Sequence, residues 1–294
     1  DVVIGFGGGS VLDTGKAVAA LVANGGEPLD YLEGIGRGNK LTKPSLPYIA
    51  VPTTAGTGAE VTKNAVLASE EHAVKVSLRS DYMLPTVALV DPDNTKTAPA
   101  SVTMSCGLDA FTQCLEPFVS HLANPVTDGF CREGLMRAAR SLERAVTDGS
   151  DMDAREDMAL ASLLGGLALA NAKLGAVHGF AGPLGGMFPT GPHGAICAAT
   201  LPHCMTVNIR ALRARDAEGP YLARFTEAAR ILTQRGDATA EDGAAWVAAL
   251  CERLSVPGLA SYGVTAEHFD AIVAKSAKSS SMKGNPIVLT TEEL

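Results

Sequence analysis

The sequence predicts an α/β N-terminal part, residues 1–98, followed by an all-α C-terminal part, residues 99–294. Three observations predict it. Before residue 98, apolar runs of strand length alternate with Gly-, Thr- and Pro-rich connections. After it, Ala- and Leu-rich segments with helical spacing follow one another almost without relief. Between the two textures, "DPDNTKTAPA" (Asp91–Ala100) has the prolines and the Thr/Asn cluster of a linker.

The first element is "VVIGFGGGSVLDTGKAVAALVA", Val2–Ala23, an apolar run that passes through three consecutive glycines and a serine into a helical pattern carrying Asp13 and Lys16. Glycines let a ligand approach the main chain, and the unpaired amides of a helix start carry partial positive charge, which suits an anion such as phosphate. The spacing matches neither the dinucleotide fingerprint with its separated glycines nor the triphosphate loop that ends in Gly-Lys-Ser/Thr. A tight strand-to-helix turn with Ser10 as the N-cap accounts for the same residues equally well.

Further strands are expected at "YIAV" (Tyr48–Val51), "KVSL" (Lys75–Leu78) and "VALVD" (Val87–Asp91). Between the first two of these, "VPTTAGTGAEVTKN" (Val51–Asn64) places small hydroxyl residues among glycines. Such a loop wraps a polar ligand with side-chain and backbone donors, or simply connects two elements. Two such loops at strand ends in one α/β layer favour a ligand, because open sheets bind outside their strand ends. Helices are expected over roughly 101–121, 125–147, 153–173, 193–208, 220–235, 239–254 and 265–278.

Composition bounds the function. The chain has 294 residues, 46% hydrophobic and 19% charged, as in a globular protein large enough for two domains. A net charge of -8 without any basic cluster argues against nucleic acid or an anionic membrane as partner. No apolar run is long and uninterrupted enough for a membrane span. Six cysteines without zinc-type pairing, and no signal peptide, point to a reducing, cytoplasmic setting. The chain opens at Asp1 without a methionine, directly before a strand-like run, and stops after "TTEEL", which reads as the first turn of a helix. Both ends are those expected of a fragment.

The helical part carries different chemistry. Asp109 and Gln113 in "GLDAFTQCLEP" are four apart and share a helix face, with Glu116 three residues on. "GAVHGFAGPLGGMFPTGPHGA" carries His178 and His193, each at an expected break between helices. One carboxylate and two imidazoles form a divalent-metal set with open positions. The same residues also suit a first-turn carboxylate, a satisfied core histidine and a helix-capping histidine, and the residues alone leave this open.

"GGGSVLDTGKA", "PTTAGTGAEVT", "VALVDP", "GLDAFTQ", "VHGFAGPLGG" and "GPHGA" occur in the order and approximate spacing of the iron-containing (group III) alcohol dehydrogenases. The chain resembles that family over essentially its whole length. The resemblance implies a dehydroquinate synthase-like fold, an α/β dinucleotide-binding domain that here lacks its first part, and an all-helical metal and substrate domain. It implies an NAD(P)-dependent oxidoreductase that interconverts a small alcohol and its aldehyde or ketone with a divalent metal, Fe2+ or Zn2+, and assembles as a homo-oligomer, a dimer. Gly7, Gly8, Gly9 and Ser10 match the pyrophosphate loop, and Asp13 matches an acidic position near the nicotinamide. Thr53, Thr54, Thr57 and Thr62 match the loop that contacts the cofactor, and Lys75 matches a lysine near its ribose. Asp109, His178 and His193 match three of the four metal ligands and are the implied catalytic residues.

The sequence departs from the pattern twice. Gln113 stands where the fourth ligand, a histidine, is usual, and a Gln carbonyl is a neutral, weaker donor to iron or zinc. Gly182 stands where a second histidine is thought to assist proton transfer. Two alternatives share the fold: a dehydroquinate-synthase-like lyase, and a noncatalytic dinucleotide-binding or assembly module with a decayed metal site.

Overall fold

The computed structural model of the chain describes residues 1–69, 71–72 and 74–294. Its first part contains β1 (Val3–Gly7), α1 (Gly9–Asn24), the single-turn α2 (Pro28–Tyr31), β2 (Tyr48–Pro52), β3 (Asn64–Ser69), β4 (Val74–Arg79) and the two-residue β5 (Val87–Ala88). β1, β2 and β5 form a parallel sheet in that order, with Val3 opposite Tyr48 and Ile49 opposite Val87. α1 covers one face of this sheet through Leu12 and Ala19, which pack with Tyr48, Ala50 and Ala59. The Tyr48 hydroxyl donates to the Leu12 carbonyl at 2.9 Å and so satisfies a polar group within that core.

β3 and β4 form a separate antiparallel hairpin, from Asn64 opposite Arg79 to Ser69 opposite Val74. Its buried residues Ala65 and Leu78 pack with Ala17, Ala20 and Met83. Strand β4 contains the expected Lys75–Leu78 run, but its partner β3 was not foreseen, since "NAVLAS" has a weak apolar alternation. Ile4 and Phe6 of β1 are 60% and 61% exposed, so one apolar side of the sheet faces outward.

The helical part consists of α3 (Ala100–Val119), α4 (Pro125–Thr147), α5 (Met152–Ala172), α6 (Ala176–Met187), α7 (His193–Arg215), α8 (Pro220–Thr233), α9 (Ala240–Arg253) and α10 (Phe269–Ser276). Local signals set several ends. Asn124 caps α4 by accepting from Val126 and Thr127, and Pro125 occupies the first turn, where its missing N–H costs nothing. α7 runs on to Arg215, well past the expected end near 208. Thr290–Leu294 makes one hydrogen-bonded turn.

α3 is buried on nearly every face by α4, α5 and α7. Leu108, Phe111, Leu115 and Phe118 supply its core contacts, as expected of a central helix. Yet Asp109, Thr112, Gln113 and Glu116 are buried on the same helix. Polar groups are rarely buried unless they are paired, so these residues need partners.

α6 was expected only as a break. Gly179, Gly182, Gly185, Gly186 and Pro183 all lower helix propensity, but Val177, Ala181 and Leu184 lie in the core and hold the helix by tertiary packing. α5 and α6 meet at a bend of 99°, which carries the first turn of α6, and His178 with it, toward α3. Among the described residues no single helix is long and apolar enough to cross a membrane.

Candidate active site

The start of α1 has no side-chain cap. Its N-cap is Gly8, not Ser10, and Ser10 is the exposed second residue of the helix. Gly8 has φ -74° and ψ -176°, extended backbone open to any residue type. The amides of the first turn are thus presented without a competing hydroxyl, as an anion requires.

The Thr-rich loop faces this turn. The Thr53 amide donates to the Gly7 carbonyl at 3.0 Å, and the Thr54 and Thr57 side chains border Gly8 and Gly9. A Cβ on Gly9 would come within 2.6 Å of Thr57, so glycine is needed there for the two loops to meet. The loop also reaches the helical part. Gly58, with φ of +59°, packs on Gly166 of α5, where a Cβ would lie 2.5 Å from its Cα. Gly56 packs against Cys106, three residues before Asp109 on α3. One loop therefore touches both the α1 turn and the helix carrying Asp109.

Lys16 anchors this arrangement. Its side chain is fully buried, and its ammonium donates to the carbonyls of Ala59 at 2.9 Å and Asn64 at 2.5 Å and to the Thr62 hydroxyl at 3.2 Å. It also pairs with Asp13 at 2.9 Å. Burial holds its pKa below the ordinary lysine value, against the opposing pull of Asp13 and Glu60. The other Asp13 oxygen accepts from the Val66 amide at 2.9 Å. The structure thus places Asp13 and Thr62 on anchoring contacts, while Thr53, Thr54 and Thr57 are half-buried around the glycine turn. Lys75, on β4, stands beside Gly185 of α6.

The residues foreseen on the helical side do converge. Asp109, His178, His193 and Cys197 offer donor atoms that all lie within 4.8 Å of one another. His178 Nε2 is 3.2 Å from Asp109 Oδ1, and its Nδ1 donates to Glu116 Oε2 at 2.7 Å. Glu116 also accepts from the Val177 amide at 2.7 Å and so caps α6 from a neighbouring helix, an interaction of about 1 kcal/mol. His193 is the first residue of α7, and Gly194 behind it lies against the Ser105 carbonyl of α3, where a Cβ would be 2.2 Å away. Only glycine lets α7 come this near to Asp109. His193 is exposed, whereas Asp109, His178 and Cys197 are buried, so the cluster opens on the His193 side. A Cβ at Gly182 would meet nothing within 4 Å, which leaves that place open as well.

Burial alone would raise the Asp109 carboxyl, but hydrogen bonds and charge from His178, charge from His193 and a hydrogen bond from Gln113 hold it below the usual carboxylate range. Burial would lower His178; the Cys197 sulfur, Asp109 and Glu116 hold it well above the ordinary imidazole value. Gln113 lies one turn beyond Asp109, and its Oε1 is buried without a hydrogen-bond partner among the described residues. An unpaired buried amide oxygen costs about 1–3 kcal/mol, which a cation would relieve. This orphan acceptor, the carboxylate and the two imidazoles together fit a divalent metal.

Sequence reasoning missed Cys197 as a member of the cluster and left Glu116 without a role. The signal for Cys197 was present, since it lies four residues after His193 and shares its helix face. His178 stands in the first turn of a helix rather than in a break, which is what lets Glu116 orient both the ring and the helix start.

Residues 1–92 match the iron-containing alcohol dehydrogenase family, and residues 103–294 match the Fe-containing alcohol dehydrogenase family, C-terminal. The chain belongs to the iron-containing alcohol dehydrogenase family and is a nicotinamide-linked alcohol oxidoreductase. It is similar to alcohol dehydrogenase 4 of Saccharomyces cerevisiae, with 35% identity over 298 residues that take in 100% of this chain and 74% of the yeast protein. Among solved structures it is similar to an alcohol dehydrogenase from Oenococcus oeni, with a TM-score of 0.89, 36% identity and coverage of 100% of this chain and 74% of the other. It is also similar to the sulfoacetaldehyde reductase of Bifidobacterium kashiwanohense in complex with NAD+, with a TM-score of 0.85, 30% identity and coverage of 99% and 73%.

Proposed function

We propose that this chain interconverts a small alcohol and its aldehyde or ketone by metal-assisted hydride transfer, with residues 1–98 as the dinucleotide-binding domain and residues 99–294 as the metal and substrate domain. The observation that carries this reading is the Thr-rich loop that touches both the α1 turn at Gly9 and α3 at Cys106. It links an anion-binding turn to a metal-type cluster. The bare amides at Gly7, Gly8, Gly9 and Ser10 hold the diphosphate of NAD or NADP, with Thr53, Thr54 and Thr57 along it. Asp13, Thr62 and Lys75 complete the cofactor side, the first two through the Lys16 anchor. The NAD+ complex of the sulfoacetaldehyde reductase supports the choice of ligand class.

Asp109, His178 and His193 hold the divalent cation, Fe2+ or Zn2+, and Gln113 adds its buried Oε1 one turn away. When bound, cation and nicotinamide supply Lewis acidity toward the alcohol oxygen and a hydride acceptor. Once the cation takes the place of the Nε2 proton, Glu116 would hold the remaining His178 proton on Nδ1 and keep the ring turned toward the cluster. Burial of Asp109 and His178 keeps bulk water from those donors, and the exposed side at His193 admits a small substrate. A cytoplasmic location belongs to the same reading and is supported by the six free thiols. So does assembly as a dimer.

The test is metal per subunit after equilibrium dialysis, with hydride transfer followed by reduced-nicotinamide absorbance. His193→Ala should lose nearly all metal and turnover. Full turnover after exhaustive chelation, with His193→Ala equally active, would overturn the metal mechanism.

A further inference from the structure

We propose that Cys197 is a further ligand of this metal, a thiolate that joins Asp109, His178 and His193 and supplies the strong donor that the neutral Gln113 oxygen does not. The inference rests on the metal reading above and adds to it one charged donor. Cys197 follows His193 by one turn of α7, so the helix itself aims both side chains at one point. Its sulfur is 3.8 Å from His193 Nε2. For metal–sulfur and metal–nitrogen bonds of about 2.3 and 2.0 Å in a tetrahedral site, the two donors stand about 3.5 Å apart. The pair is therefore already near ligand spacing, as is His178 Nε2 at 3.2 Å from Asp109 Oδ1.

The other fully buried cysteines have different surroundings. Cys114 donates to the Ala161 carbonyl, and Cys131 packs in the helical core. Buried thiols of that kind act as small apolar side chains. Cys197 borders the same apolar core but also sits among a carboxylate and two imidazoles.

Charge also favours it. Asp109 and a Cys197 thiolate bring two negative charges to a divalent cation, so the occupied buried site is close to neutral before substrate enters. The Gln113 oxygen is neutral and brings none. A sulfur donor also moves metal preference from ferrous iron toward zinc.

The experiment strips the protein with chelator under reducing conditions and titrates it with Co2+ as a spectroscopic stand-in. One Co2+ per subunit is expected, with a thiolate-to-cobalt charge-transfer band in the near ultraviolet. Cys197→Ser should lose the band and weaken Co2+ binding by about tenfold or more, the least expected for a direct ligand. Cys114→Ser should keep the band. Co2+ bound without a thiolate band in the unmutated protein overturns the Cys197 assignment while the metal reading stands. Failure of the unmutated protein to bind Co2+ at all overturns both. The spectrum of the unmutated protein decides the question even where Cys197→Ser does not fold.

Discussion

Glu116 Oε2 stands 2.7 Å from His178 Nδ1, and the two residues come from helices α3 and α6, 62 positions apart. One carboxylate thereby sets the tautomer of a metal-type histidine and caps the helix that carries it. Glu116→Gln keeps the shape and the acceptor for Val177 but no longer guarantees an acceptor for the imidazole N–H. Zinc affinity is expected to fall by about 10- to 100-fold while the fold persists, as for other groups that orient metal-bound histidines. Equilibrium dialysis with circular dichroism on the same sample measures both. Unchanged zinc affinity would remove Glu116 from the positioning role.

The glycine turn before α1, the proposed diphosphate site, offers a clean pair of variants. At Gly8 an added Cβ meets only Thr54 at ordinary contact distance, and the backbone is extended, so Gly8→Val should fold normally. Its side chain should obstruct an approaching diphosphate and weaken NAD+ or NADP+ binding by about tenfold or more, if the bare amides are the anchor. Gly9→Val should instead push Thr57 away and lower the melting temperature as well. Calorimetric titration with each dinucleotide tells these outcomes apart. A folded Gly8→Val protein with undiminished affinity for both would end the pyrophosphate assignment.

Lys16→Met should show what the buried ammonium contributes. Methionine fills much of the volume, but the Asp13 carboxylate and the carbonyls of Ala59 and Asn64 lose their donor. A stability loss of about 3 kcal/mol is expected in urea unfolding, the size seen when one partner of a buried ion pair is removed. Dinucleotide affinity should fall with it, because the Thr-rich loop loses its tie to α1. A variant as stable as its parent contradicts the anchoring role.

Acid stability should carry the mark of Asp157. Burial alone would raise its carboxyl, but hydrogen bonds from Arg140 and Ser141 and the charges of Arg140 and Arg137 hold it down to about 2. Because the folded value lies below the unfolded one, the stabilisation is complete above about pH 4 and is lost as pH falls toward 2. Asp157→Asn should cost about 2 kcal/mol at neutral pH, and the difference from the parent should shrink as the solution is acidified through that window. Urea unfolding at a series of pH values reads it directly, and a pH-independent gap would exclude this origin.

Much of the architecture was written in local chemistry. The apolar run into Gly7–Gly9, the strand at Tyr48–Val51 and the Asn124-Pro125 start of α4 are each set by residues within a few positions, whereas of the expected Val87–Asp91 run only Val87–Ala88 pairs as a strand. Asp109, His178 and His193 stood out as candidate ligands only through the family resemblance, since the residues alone suit structural roles as well. The six motifs in order were enough to indicate the family.

Local chemistry failed where neighbours overrule it. Four glycines and a proline argue against α6, and only packing of Val177, Ala181 and Leu184 into the core forms it. The roles of Glu116 and Lys16 depend on acceptors and donors 40 or more residues away, which no sequence window contains. Cys197 joins the donor cluster on the same terms. Its spacing from His193 follows from the helix, but its distance from Asp109 and His178 exists only because Gly194 lets α7 press against α3. The sequence by itself determined which groups could carry the chemistry; the tertiary structure decided which of them meet, because convergence depends on how closely separate helices can pack.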